Sequence, residues 1–241
     1  HVSASVGGVR CGGGCGVYLA FIPREDAPLM PITFVGEADA DLAVVNLPVF
    51  TVGDAAVVLA FRNNSATPPS LPAGWTSIAS NGSSGVSYRT GYRVLQSGDL
   101  TTSTWTNATS IVVVVLTGNS STPIGTTAEG SGISTSMSFT TVALQDSGGT
   151  SWVILEGAHG TATDTNSVAL AGTTNRASGV STAIAAHTAE NVTAWPTTAK
   201  TVNTSSRYFT RSVEILAAGV SVLSGNITCR GVQMGILRGA R

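Results

Sequence analysis

Few residues in this chain have the type and spacing to do chemistry, and most of them stand alone. His159 lies in the run Glu156-Gly-Ala-His159-Gly, with Asp164 five positions further on. A general base and its acid could be assembled from such a cluster. The other two histidines are His1 and His187, and no G-x-S-x-G elbow occurs among the many serines. Without a nucleophile motif, a structural or solvent-facing His159 explains the segment with fewer assumptions. Glu37, Asp39 and Asp41 place three carboxylates at alternate positions. They could offer oxygen ligands to calcium, although a calcium loop needs more donors and a fixed turn. Alternation on one exposed strand face is the simpler account. Gly82-Ser83-Ser84-Gly85 lacks the lysine and the following helix of a phosphate-cradling loop. Cys11, Cys15 and Cys229 are odd in number, and Cys11-Gly-Gly-Gly-Cys15 has no second pair for zinc. No catalytic residue, cofactor site or metal site is therefore assigned.

Binding chemistry has better candidates. Trp75, Trp105, Trp152 and Trp195 sit among Thr, Ser, Ala and Gly at the ends of strand-like runs. An aromatic face takes the apolar side of a sugar while Asn and Ser take its hydroxyls. Trp195, beside Pro196 in a polar stretch, and Trp75 are the candidate glycan or partner contacts. The competing account has the indoles plugging the ends of a core, which suits Trp75 and Trp152 beside buried strands. Asn-x-Ser/Thr sequons, for example at Asn63, Asn81, Asn107 and Asn191, are expected by composition in a chain so rich in these residues.

The elements that must position these residues are read from composition and period. The 241 residues are 42% hydrophobic and only 10% charged, against roughly 25% charged in ordinary soluble domains. Polarity comes instead from Ser, Thr, Asn and Gly, which favour strands and turns over helices. A net charge of -1 gives no basic footprint for nucleic acid. The longest apolar runs, such as 111–116, fall far short of the roughly 18 residues of a spanning helix, so no membrane insertion is expected. Lys200 is the only lysine. Lone β edges are commonly guarded by lysine, so its scarcity hints that other subunits cover the edges and that the protein is a homo-oligomer.

Two runs, 55–61 (AAVVLAF) and 111–116 (IVVVVL), are apolar throughout and bounded by turn chemistry, the pattern of strands buried on both faces. They are expected to pair or stack in the middle of the fold. Segments 32–35, 42–50, 76–80, 101–106, 133–144 and 151–156 also read as strands, and 118–125 as a turn-rich connector. Alternation over 86–95 sets Tyr88, Thr90, Tyr92 and Val94 against Ser87, Arg89, Gly91 and Arg93, the mark of a half-exposed strand. Residues 62–74 carry Pro68, Pro69 and Pro72 and cannot continue a ladder. Residues 157–180 read as irregular, 181–192 as strand or loop, and 193–216 as a closing strand region. Ten to twelve short strands with regular turns argue for an all-β antiparallel β-sandwich, jelly-roll-like, with little or no helix. The glycine-dense residues 1–29 read as an arm or non-native extension, 30–217 as the sandwich and 218–241 as a tail. No repeat of propeller or solenoid type is visible.

One order of motifs carries a resemblance. Gly53-Asp54 and its apolar strand are followed by Pro68-Pro69, Pro72-Ala73-Gly74-Trp75-Thr76, Gly91-Tyr92-Arg93-Val94, Gly98-Asp99 and Trp105-Thr106. Gly149-Thr-Ser-Trp152-Val, Thr174-Asn175-Arg176 and Arg211-Ser-Val-Glu214-Ile continue it. Over residues 32–216 the chain resembles tailed-bacteriophage structural proteins of β-sandwich type, found among tail, tail-fibre and minor virion proteins. The resemblance implies a non-enzymatic virion component, outside the cell on the particle, whose partners are other virion subunits and a host-surface glycan. It carries over no catalytic or binding residue. The alternatives are a capsid decoration protein and a secreted bacterial carbohydrate-binding module. A glycan-cleaving enzyme would need two carboxyls about 5–10 Å apart across a cleft, and no such pair is legible.

Overall fold

The computed structural model describes residues 30–83, 85–160, 170–177 and 183–219. The arm 1–29, and the tail beyond Gly219, lie outside the described residues. No helix forms among those described. Ten strands do: β1 (Thr33–Ala40), β2 (Ala55–Asn63), β3 (Thr76–Ser83), β4 (Val86–Val94), β5 (Ser110–Thr117), β6 (Asn119–Phe139), β7 (Ser151–His159), β8 (Thr174–Ala177), β9 (Ala183–Val192) and β10 (Thr198–Ala217). They build two five-stranded sheets, ordered β1-β5-β2-β4-β3 and β6-β10-β7-β9-β8, and every pairing is antiparallel.

The two apolar runs became the centre of the first sheet, as their composition requires. β2 pairs with β5 from Ala55↔Leu116 to Phe61↔Ser110. Alternate residues serve two cores. Val57, Leu59, Phe61, Val112 and Val114 face the second sheet. Val58, Ala60, Ile111, Val113 and Val115 face outward into a separate cluster. Burying one such Val, Leu, Ile or Phe side chain contributes roughly 1.5–3 kcal/mol over leaving it exposed.

What fills the outer side follows from strand direction. Antiparallel neighbours make strands two places apart run parallel, so β1→β2, β2→β3 and β4→β5 must each carry the chain back across a neighbouring strand. All three returns supply the outer cluster: Val45, Leu47 and Phe50 from the first, Leu71 and Trp75 from the second, Leu95, Trp105 and Ala108 from the third. The first and third also bond to each other, through Leu47 N→Leu100 O (3.0 Å), Thr102 N→Val45 O (2.9 Å) and Trp105 N→Ala43 O (2.8 Å). Residues 42–50 and 101–106 are therefore a loop ribbon with one isolated bridge, Asn46↔Thr101, and not the two strands expected. Their apolar positions cover a sheet instead of extending one.

The same covering corrects β4. Its outward residues are enclosed by the proline loop, with Ser87 Oγ donating to Thr67 O (2.8 Å) and Arg89 Nε to Pro69 O (2.6 Å). Ser87 and Gly91 are buried, so the strand is less open than its alternation indicates. Residues 119–125, expected as a connector, instead open the 21-residue edge strand β6.

The second sheet repeats the wiring of the first. Adding five to each label of β1-β5-β2-β4-β3 gives β6-β10-β7-β9-β8. The covering ribbon repeats as well: residues 140–146 and 195–197 lie over the outer side of the second sheet, joined by the bridge Val142↔Trp195. Across the interface β5 meets β9, β4 meets β10, β1 meets β8 and β2 meets β7. That pattern is a two-fold rotation about an axis along the strands. Each sheet is thus complete within one half of the chain, a plainer connectivity than strands passing back and forth between sheets. At the hinge between halves, Asn119 Oδ1 accepts from Ala55 N (3.0 Å). Beside it Met30 pairs with Ala218, so the chain enters and leaves the sandwich at one pole.

Candidate functional site

The densest group of ionisable side chains is a row across the inner face of the second sheet. Register sets Glu129 (β6), Arg211 (β10) and Glu156 (β7) side by side on three adjacent strands. Arg211 Nη1 is 3.6 Å from Glu129 Oε2, and its Nη2 donates to Thr127 Oγ1 (2.5 Å). Glu129 also accepts from Tyr88 Oη (2.7 Å) and Asn81 Nδ2 (2.6 Å) of the first sheet. These contacts tie the β3 and β4 side of one sheet to the β6 edge of the other. Burial and the Glu129 carboxylate both push the Tyr88 phenol upward, so it stays a donor.

Glu156 is fully buried, and neither carboxyl oxygen has a hydrogen-bond partner among the described residues. Burial raises its pKa to about 8, against the opposing pull of the nearby Thr90 hydroxyl and Arg211. Near neutrality it is a protonated acid. Two carboxyls flanking an arginine look like catalytic equipment, but Glu156 is sealed between the sheets, where no substrate reaches it. Enclosure makes the row a structural tie.

A second polar pair lies on the outer side of the same sheet. Lys200 Nζ is 3.2 Å from His187 Nε2, and both residues are buried. Burial, then the lysine charge, lowers His187 to about 4, and burial lowers Lys200 to about 8. His159 is buried too, on β7, so the solvent-facing version of its structural role does not hold. Asp164 lies outside the described residues. Glu37 and Asp39 point from the edge strand β1, and burial together with Asp39 raises Glu37. Asp41 instead accepts from Ser110 Oγ (3.0 Å). Among the described residues no group of three His, Cys, Asp or Glu could hold a metal ion, and no helix is long and apolar enough to cross a membrane.

The four tryptophans are all buried. Trp75 and Trp195 are each 6% exposed, so neither ring turns an open face to solvent. Trp75 packs edge-on against Trp105 at 5.4 Å between centroids. Trp195 closes the outer cluster of the second sheet with Phe139, Val153 and Leu155. The indole N–H of Trp105 donates to Thr102 O (3.1 Å), whereas those of Trp75 and Trp195 meet no partner among the described residues. Hydrophobic plugging is what these rings do in the single chain.

Open binding chemistry lies elsewhere, on the ribbon outside the first sheet. Leu42 (60%), Val49 (94%), Val52 (58%) and Leu100 (77%) are exposed there. Next to them runs a groove of about 450 Å³ beside β1, lined by Ala38, Asp39, Ala40, Leu42, Val44, Val45, Asn46 and Thr101. Asp39 is its only carboxylate, so the two-acid geometry of glycan cleavage is not met there. The two-fold-related ribbon on the second sheet exposes Thr141, Ala143, Gln145, Ser147, Pro196 and Thr197. The first sheet's returns thus expose four large aliphatics among polar residues such as Asn46, Thr101, Thr104 and Thr106, and the related ribbon exposes no large aliphatic. Sequence reasoning missed this patch because Leu42 and Val49 had been assigned to a strand; Val52 and Leu100, beside turn residues, were the available signal.

Compared with known proteins, the chain matches no protein-family model, no curated protein and no solved structure.

Proposed function

We propose that this chain is a non-enzymatic structural protein of a tailed-phage particle, tail-associated or fibre-like, which assembles through the exposed aliphatics on the outer surface of its first sheet. The observation that carries the assembly reading is the contrast between the two outer surfaces. Large exposed aliphatics spread along one outer surface, Leu42 among them lining a groove, support an interaction surface, and the related ribbon has no such residues, so the fold does not require them. The partner that fits is another copy of this chain, since a near-neutral, almost lysine-free molecule has little charge to keep copies apart. Assembly would array many copies on one particle, and weak contacts of each with a host-surface glycan would then add up to firm attachment. The phage assignment itself rests on the motif order described above.

Light scattering on the full chain tests the assembly. The wild type should be oligomeric, and Leu100→Glu with Leu42→Glu should shift it to monomer with little change in melting temperature. Thr141→Glu on the related polar ribbon should leave the oligomer intact. A monomeric wild type would remove the assembly reading and favour a lone carbohydrate-binding module. Neighbouring genes for tail-tube or baseplate proteins would support the particle assignment separately.

A further inference from the structure

Asn81-Gly82 is the only Asn-Gly pair in the chain. Asn-Gly is chemically the most labile asparagine context, because a following glycine lets its backbone nitrogen reach the asparagine carbonyl carbon unhindered. Three observations make this pair unusual. First, Gly82 N donates to Asn81 Oδ1 at 2.7 Å, which already holds the nitrogen beside the carbon it would attack. Second, Asn81 Nδ2 donates to Glu129 Oε1 at 2.6 Å, fixing the amide with its oxygen toward Gly82. Third, Asn81 is exposed and on the edge strand β3, open to water.

Both residues are also held in place by the fold. A Cβ at Gly82 would run into the Ala66 carbonyl oxygen, so that position demands glycine. Asn81 is one of the side chains that cross from the first sheet to the second, where Glu129 also receives Tyr88 Oη at 2.7 Å. Separate structural needs thus put a reactive pair side by side.

We propose that Asn81 is a deamidation site primed by the fold, and that its conversion unties β3 from β6. In the first step the Gly82 nitrogen gives up its proton and bonds to Asn81 Cγ. The Cγ–Nδ2 bond breaks, and ammonia leaves with the proton. In the second step water opens the resulting succinimide at either carbonyl, giving aspartate or isoaspartate. The net change is water in and ammonia out, with no oxidant or reductant. Either product loses the Nδ2 donor and sets a carboxylate against Glu129. Isoaspartate also lengthens the main chain by one atom, which breaks the Asn81↔Tyr88 register with β4.

The test is a time course on the full chain in mildly alkaline buffer, native and in denaturant. Cleavage after Arg62 and Arg89 isolates the stretch holding Asn81, and mass spectrometry reads the one-dalton gain and the isoaspartate fraction. Conversion at Asn81 in the native protein should be as fast as in the denatured chain, or faster, while the folded Asn63 and Asn64 lag. A native rate more than about tenfold below the denatured rate, a barrier raised by over ~1.4 kcal/mol, would show that the fold protects the pair, and would overturn the proposal. The untying is read with Asn81→Asp, which is one product made directly. It should melt several degrees below wild type. An unchanged melting temperature would mean that conversion leaves the sheets tied.

Discussion

Glu156 and Arg211 form the fifth rung of the β7–β10 ladder, and the fifth rung of the corresponding β2–β5 ladder is Leu59 and Val112. All four face the space between the sheets. The same place in a repeated fold thus holds an acid and a guanidinium in one half and two aliphatics in the other.

That substitution gives a pH dependence of known sign. Unfolded, Glu156 titrates near 4.5; folded, near 8. Between these values the unfolded chain has lost the proton and the folded one keeps it. Stability therefore falls as pH rises through this window, by up to ~1.4 kcal/mol per unit. Glu156→Gln should flatten the curve and melt higher than wild type near pH 8. Urea melts across the window measure it, and an unchanged slope would mean that the carboxyl is already ionised in the fold.

Glu214 is the opposite kind of buried acid. Its oxygens accept from Thr126 N (2.9 Å), Gln145 N (2.8 Å), Asp146 N (3.0 Å) and Ser151 Oγ (3.0 Å), so it pins the covering ribbon to the sheet. Glu214→Ala should cost at least ~3 kcal/mol, because it leaves the buried Ser151 hydroxyl and three part-buried amides without their acceptor, at about 1–3 kcal/mol for each donor that stays buried. Hydrogen exchange should show Gln145 and Asp146 losing protection first.

Trp195→Ala should destabilise by ~3–5 kcal/mol through the cavity it opens. Glycan-array signal, if the protein gives one, should follow the folded fraction and not vanish on its own. Loss of signal from a fully folded Trp195→Phe variant would restore a direct role in sugar contact.

Two glycines with positive φ separate strain from collision. Gly53 (φ +102°) has open space around it, whereas a Cβ at Gly118 (φ +78°) would meet the Pro31 carbonyl. Gly53→Ala should cost ~1–2 kcal/mol from backbone alone. Gly118→Ala should cost clearly more, and equal losses in thermal melts would show that the hinge yields.

The sequence showed what burial on two faces imposes. Residues 55–61 and 111–116 could afford no polar side chain, so their place in the centre was legible. The sandwich class followed from strand and turn spacing. The ribbons were misread because Val45, Leu47 and Phe50 are apolar for covering a sheet, and an apolar stretch between turns does not tell covering from pairing. The opening of β6 was hidden by its Ser, Thr, Gly and Pro, which an edge strand accepts. The repeat was invisible because corresponding rungs differ as much as Leu59 and Glu156 do. The acid–arginine row joins residues far apart in sequence, and only the register of three strands brings them together.

The pairing of Met30 with Ala218 has a mechanical consequence. A pull that separates Met30 from Ala218 loads this single bridge and then the adjoining end of β1, instead of shearing a whole ladder at once. Such a unit yields at low force along that line.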